Sequence, residues 1–213
     1  MVLQSELVTN EPVSEAGGDP RAAADLDSPL VSEEHGSDGC RALLVHRTRQ
    51  SGLRFGAAMD HEVDGPEGTT TESESIDDWA RLTITSQLAT GERLQVRKYL
   101  AYGWSAARSR SAIHDQVLGA LVGARKTGWD DLLHEQRVYL DDFWSGADIE
   151  LEGDPEVEQA VRFALFHVFQ AGCRSECRAI PAKGLTGPGY DGHSFWDTET
   201  FVLPVLTYTD RPL

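Results

Sequence analysis

No run of 18 or more apolar residues occurs in this 213-residue sequence, so no segment is long enough to span a bilayer as a helix. The opening "MVLQSELVTNEP" lacks both a basic start and the long apolar stretch of a secretory signal. Basic side chains are scarce: 19 Lys and Arg stand against 35 Asp and Glu, a formal net charge of -16. That imbalance repels nucleic-acid phosphates and anionic headgroups, so neither nucleic acid nor a membrane is an expected partner. A neutral sugar is indifferent to it. Cysteine occurs three times, as Cys40, Cys173 and Cys177. An odd number cannot all pair within the chain, which fits a reducing compartment, and the expected location is the cytoplasm. Cys173 and Cys177 share a helix face at i,i+4, but no second pair accompanies them. They are read as buried structural thiols rather than metal ligands.

What is present is ordinary for a globular chain: 40% hydrophobic and 25% charged residues. Its pattern changes near the middle. Before about Tyr102 the segments are turn-rich and alternate; after about Ser109 they follow helical spacing. In "ARLTITSQLATGERLQVRKYL", Ala80, Leu82, Ile84 and Leu88 alternate with polar neighbours, and Leu94 and Val96 do so again after "ATGE". This reads as a β-hairpin. "RALLVHRT" and "LRFGAAMD", joined around Ser51 and Gly52, read as another. Two acidic stretches rich in glycine, proline and serine, Glu11 to Gly39 and Asp60 to Asp78, are expected to be loops.

The second half predicts helices from about Ser111 to Cys173. Thr127 followed by Asp130 has the spacing of a capping box and splits the first helical segment near Lys126. In "DPEVEQAVRFALFHVFQAGCR", Asp154 suits the N-cap and Pro155 the first helical position, with Glu156 and Glu158 at the positive end of the dipole. Phe163, Phe166 and Phe169 widen its apolar stripe, so this helix is expected to be buried on most sides.

Chemistry concentrates in "GYDGHSFWDTETFVLPVL", where His193, Trp196, Asp197 and Glu199 crowd between glycines and an apolar run. Glycines 187, 189 and 192 permit a tight loop that can approach a ligand. Trp196 offers a flat face to the C–H surface of a sugar ring, and Asp197 offers acceptors to adjacent hydroxyls, a pairing suited to a pyranose. The competing reading is an aromatic core segment whose Asp197 and Thr198 cap the following helix.

The longer stretch "AIPAKGLTGPGYDGHSFWDTETFVLPVLTYT" closely resembles glycoside hydrolase family 65, which includes maltose, trehalose and kojibiose phosphorylases. Gly184, Gly187, Gly192, His193, Phe195, Trp196, Asp197, Thr198, Glu199 and Pro204 fall in that family's arrangement. "QSELVTNEP" and "HRTRQSGLR" extend the resemblance over essentially the whole chain. It implies an α+β multidomain fold: part of an antiparallel β-sandwich of the mutarotase-like supersandwich kind over 1–102, a helical linker over 103–150, and the start of an (α/α)6 barrel over 151–213. It also implies a fragment, with the catalytic glutamate beyond Leu213 and no catalytic residue within the chain.

By that resemblance Trp196 and Asp197 line the subsite of the non-reducing glucosyl unit, with His193 and Glu199 lining the pocket or orienting its walls. The implied reaction is inverting phosphorolysis or hydrolysis of an α-glucosidic disaccharide of trehalose, maltose or kojibiose type. A phosphorylase needs no general base, because phosphate itself attacks the anomeric carbon. Inorganic phosphate would be the co-substrate, no metal or organic cofactor is implied, and homo-oligomerisation is plausible. The alternative is a truncated, non-catalytic relic or sugar-binding remnant.

Overall fold

The computed structural model describes residues 1–11, 28–173, 179–187 and 189–209. Strands come first: β1 (Val2–Val8), β2 (Leu30–Asp38), β3 (Arg41–Thr48), β4 (Arg54–Asp64), β5 (Thr70–Ile76), β6 (Trp79–Thr85) and β7 (Gln95–Ser105). They form two sheets with antiparallel pairing throughout, ordered β1-β6-β5 and β2-β3-β4-β7. Helices follow: α1 (Arg110–Thr127), α2 (Trp129–Ala147), α3 (Pro155–Cys173) and α4 (Leu203–Thr209). None of the described helices is long and apolar enough to cross a membrane. The chain divides into two compact units, the first ending at Leu133 and the second resuming at His134.

In the first unit, period-two alternation decides which side chains meet. Leu7, Ala80, Leu82 and Ile84 of the three-stranded sheet close on Ala42, Leu44, Ala57 and Met59 of the four-stranded sheet, forming the sandwich core. The intervening Leu43, Val45, Ala58, Tyr99 and Ala101 face the other way, onto Ile113, Val117 and Leu121 of α1. The central strands are therefore covered on both faces, which is why "ALLV" in β3 is a continuous apolar run.

Two glycines let α1 come close. Gly56 and Gly103 stand opposite each other across β4 and β7. A Cβ at Gly56 would lie 2.9 Å from Ile113 Cγ2, and one at Gly103 would lie 3.0 Å from Gln116 Cδ and 3.1 Å from Val117 Cγ1.

Ion pairs hold both ends of α1. The β2–β3 register shifts between Ser32 and Glu34, so a bulge at Glu33 lets adjacent glutamates serve the same face. Glu33 accepts from Arg47 at 3.2 Å and Arg54 at 2.7 Å, while Glu34 accepts from His114 at 2.8 Å. The Arg54 hydrogen bond holds the Glu33 carboxyl below the usual carboxylate range. At the other end, Asp60, with its side chain 3% exposed, accepts from Arg125 at 3.0 Å and from Arg41 at 2.9 Å.

Histidines tie the two sheets together. His61 on β4 donates from Nδ1 to the Cys40 carbonyl at 3.0 Å, which leaves Nε2 to accept from the Ser5 hydroxyl on β1 at 2.8 Å. Burial pushes its pKa below the ordinary histidine value. His46 on β3 places Nε2 3.1 Å from the Asp78 carboxylate and 3.0 Å from Thr9 Oγ1. The three-stranded sheet lies over β2, β3 and β4, and the edge strand β7 presents Leu100, Tyr102 and Trp104 as exposed side chains on its inner face.

Several expectations are corrected. The hairpin over Ala80 to Leu100 does not form: β6 pairs with β1 and β5, whereas β7 pairs with β4 in the other sheet. The alternation was right, but the connection passes between sheets. Both expected loops contain strands, β2 and β5, in their described parts; β4 also runs on to Asp64, into the second loop. β2 and β5 are edge strands, and their polar side chains suit an edge rather than a loop. β7 continues to Ser105, past the boundary at 102. The break between α1 and α2 falls at Gly128, with φ +84, rather than at a Thr127 cap. Its N–H closes α1 on the Ala124 carbonyl at 2.9 Å, and its carbonyl opens α2 by accepting from Leu132 at 3.1 Å.

In the second unit, Asp154 caps α3 as the sequence implies, its Oδ1 accepting from the Val157 N–H at 3.1 Å. Phe169 stacks on Phe143 with centroids 3.9 Å apart, beside Ala147. The opposite face stays open, with Phe163 65% exposed, so α3 is not buried on most sides. Cys177 lies outside the described residues, and the expectation for the Cys173 and Cys177 pair is not decided.

Candidate functional site

The segment from Ala179 to Thr209 is built around a reversal and a widened helical turn. The N–H of His193 donates to the Tyr190 carbonyl at 2.9 Å, closing a turn whose central residues are Asp191 (φ 51, ψ 30) and Gly192 (φ 71). Positive φ at both central positions makes this a type I′ turn, for which Asp-Gly is a favoured pair. Tyr190 is also left-handed, at φ 59 and ψ 25. Gly187 (φ 157) and Gly192 use the conformational freedom expected of them, and Gly189 is buried. The Ala182 N–H then clasps the loop by donating to the His193 carbonyl at 3.0 Å.

Beyond the loop, Thr198–Val202 forms a π-helical turn that runs into α4, with the Leu203 N–H donating to the Thr198 carbonyl. Pro204 has no N–H to give to the Thr200 carbonyl, so the ordinary ladder is interrupted at this point. Such widened turns recur at functional sites. Asp197 precedes the turn and makes no side-chain capping hydrogen bond. The alternative in which its carboxylate serves only to cap the helix is therefore set aside.

The described part of this segment holds a cleft of about 400 Å³ lined by Pro181, Ala182, Tyr190, Phe195, Asp197, Thr198, Phe201 and Val202. Tyr190 and Phe195 meet edge to face, with centroids 5.4 Å apart. Thr198 Oγ1 donates to the Ile180 carbonyl at 3.4 Å, joining the two sides of the segment.

Of the four residues singled out by sequence, only Asp197 lines this cleft. Trp196 is 80% exposed, and His193 and Glu199 are exposed outside the lining. Tyr190 and Phe201 are lining residues that were not assigned to a site from sequence. The signal for Tyr190 was its place between two glycines; Phe201 is one turn beyond Asp197, at i+4. Among the described residues no group of three or more His, Cys, Asp or Glu side chains is placed to hold a metal.

The described chain thus combines an antiparallel β-sandwich, succeeding helices, and an aromatic cleft carrying one carboxylate. The chain belongs to glycosyl hydrolase family 65: residues 1–143 match its N-terminal domain and 162–212 its central catalytic domain. It is 58% identical over 209 residues to an uncharacterized glycosyl hydrolase of Mycobacterium tuberculosis, covering 98% of this chain and 27% of that one. It is 27% identical over 192 residues to the alpha,alpha-trehalose phosphorylase of Thermoanaerobacter brockii, covering 90% of this chain and 25% of that one.

A kojibiose phosphorylase of Caldanaerobacter subterraneus is 45% identical over 82 residues, covering 38% of this chain and 11% of that one. A solved chain from the human microbiome, assigned as a kojibiose phosphorylase, superposes with a TM-score of 0.80 at 23% identity. That superposition covers 98% of this chain and 26% of the other, and it shows the fold. The chain thus spans about a quarter of the length of the M. tuberculosis and T. brockii relatives.

Proposed function

We propose that this chain supplies the glucosyl-binding part of an enzyme that inverts an α-glucosidic disaccharide of trehalose, kojibiose or maltose type, with phosphate as co-substrate. The observation that carries the reading is Asp197, a carboxylate free of capping in a cleft walled by Tyr190, Phe195 and Phe201. Its oxygens accept from sugar hydroxyls while aromatic rings cover C–H faces. In this reading Trp196, the adjacent residue, offers a further face, and His193 and Glu199, which are exposed and not in the cleft lining, remain secondary candidates. The names of the trehalose and kojibiose phosphorylase relatives support phosphate over water as the attacking group.

In that reaction a phosphate oxygen bonds to the anomeric carbon as the glycosidic C–O bond breaks on the opposite face. A general acid gives its proton to the leaving oxygen, and the products are β-glucose 1-phosphate and the released sugar. Asp197 is the one carboxylate in the cleft lining among the described residues, and the reading uses it for binding. No residue from 1 to 213 is assigned as the acid. No metal or organic cofactor enters the reading, and a cytoplasmic setting suits a phosphate-dependent reaction.

The test is saturation-transfer NMR on the 213-residue chain with trehalose, kojibiose and maltose. Binding is expected, and Asp197→Asn should weaken it roughly tenfold to a hundredfold, the worth of a hydrogen bond to a charged acceptor. Equal binding by wild type and Asp197→Asn would overturn the proposal.

A further inference from the structure

The sugar reading of the Asp197 cleft, on which this inference rests, does not say what holds a pyranose against the carboxylate. We propose that Tyr190 is a further sugar-contacting residue, whose ring and hydroxyl form the wall that presses a pyranose onto Asp197. Tyr190 lines the same cleft. Its ring is steadied by the edge contact with Phe195, and its carbonyl is tied by the His193 N–H at 2.9 Å. Its backbone sits at φ 59 and ψ 25, a conformation that glycine takes freely and a side chain rarely does.

Tyr190 and Asp191 both hold left-handed backbone between glycines 189 and 192, and of the two only Tyr190 brings its side chain into the cleft lining. Folding does not account for it. The core cluster of this unit is Phe143, Ala147 and Phe169, and among the described residues the Tyr190 hydroxyl has no hydrogen-bond partner.

The chemistry is complementary. An ionised Asp197 can only accept, whereas a phenol can both donate and accept, so together they satisfy sugar hydroxyls that one group alone would leave unpaired. A sugar that leaves such a polar group unpaired is rejected, so Tyr190 would set selectivity as well as affinity.

The experiment titrates the 213-residue chain with trehalose and kojibiose by saturation-transfer NMR, alongside thermal melts followed by circular dichroism. Tyr190→Phe keeps the ring and its contact with Phe195; it should melt as wild type does and bind about three- to tenfold more weakly. Tyr190→Gly should melt higher than Tyr190→Ala because glycine relieves the backbone, yet both should lose detectable binding. A residue with a purely structural role would show binding that tracks stability. Wild-type affinity in Tyr190→Phe and Tyr190→Gly, together with loss in Asp197→Asn, would overturn this inference and leave the cleft reading intact. Absence of saccharide binding by the wild-type chain would overturn both.

Discussion

At the residue scale, the structure separates two neighbours that the sequence treats as a pair. Asp197 belongs to the cleft lining, while Trp196 stands 80% exposed beside it. Asp197→Ala is therefore expected to weaken saccharide binding by this chain more than Trp196→Ala does, measured as the ratio of dissociation constants to wild type. His61 supplies a second residue-scale expectation. Burial holds its folded pKa below the ordinary value of 6.5, so the unfolded chain takes up the proton more readily. Its contribution to stability is complete above about pH 6.5 and is lost as pH falls through that value toward the folded pKa. The slope for one proton is at most about 1.4 kcal/mol per pH unit. Urea midpoints at about pH 7.5 and about pH 5.5 should differ less in His61→Gln than in wild type.

At the element scale, the contact between α1 and its sheet depends on missing side chains. Gly56→Ala would push a Cβ to 2.9 Å from the Cγ2 of Ile113, a stiff, fully buried β-branched residue. The expected cost is about 1–3 kcal/mol, read as a lower denaturation midpoint. Gly36→Ala in β2 meets nothing within 4 Å and serves as the control, expected within about 0.5 kcal/mol of wild type.

The contrast also shows what was legible in the sequence. The alternation in β6, the run "ALLV" in β3 and the Asp154-Pro155 start of α3 announce themselves, because burial and capping impose local spacing. β2 and β5 do not, since an edge strand is defined by its pairing partner and tolerates polar side chains on both faces. Periodicity found the strands from Ala80 to Leu100 but could not tell a hairpin from a passage between sheets. Asp197 was legible because its chemistry sits in a glycine-bounded motif. Tyr190 was not, because its role depends on a backbone conformation that only the folded loop reveals.

At the scale of the whole chain, the two compact units differ in how much they bury. The first has a sandwich core and a second apolar layer beneath α1, whereas the core cluster of the second consists of Phe143, Ala147 and Phe169 with Leu140 and Trp144 against it. Local stability follows buried apolar contact. Amides of β3 and β4 should therefore outlast those of α3 and α4 in hydrogen exchange. Comparable protection in both units would contradict this. The 213-residue chain is also expected to release neither glucose nor glucose 1-phosphate from α-glucosides. Its cleft offers one carboxylate for binding, and an inverting reaction needs a further acid. A coupled enzymatic assay on purified protein checks this, and release of either product would contradict it.

The exposed inner face of β7 has a colloidal consequence. Leu100, Tyr102 and Trp104 make an adhesive strip on a strand edge, and such strips recruit like strands from other molecules. At neutral pH the excess of 35 acidic over 19 basic side chains keeps molecules apart. That repulsion vanishes as the medium approaches the isoelectric point near 4.7, and turbidity should rise there first in low salt. Tyr102→Lys, which plants a charge in the middle of the strip, should raise the protein concentration at which turbidity begins.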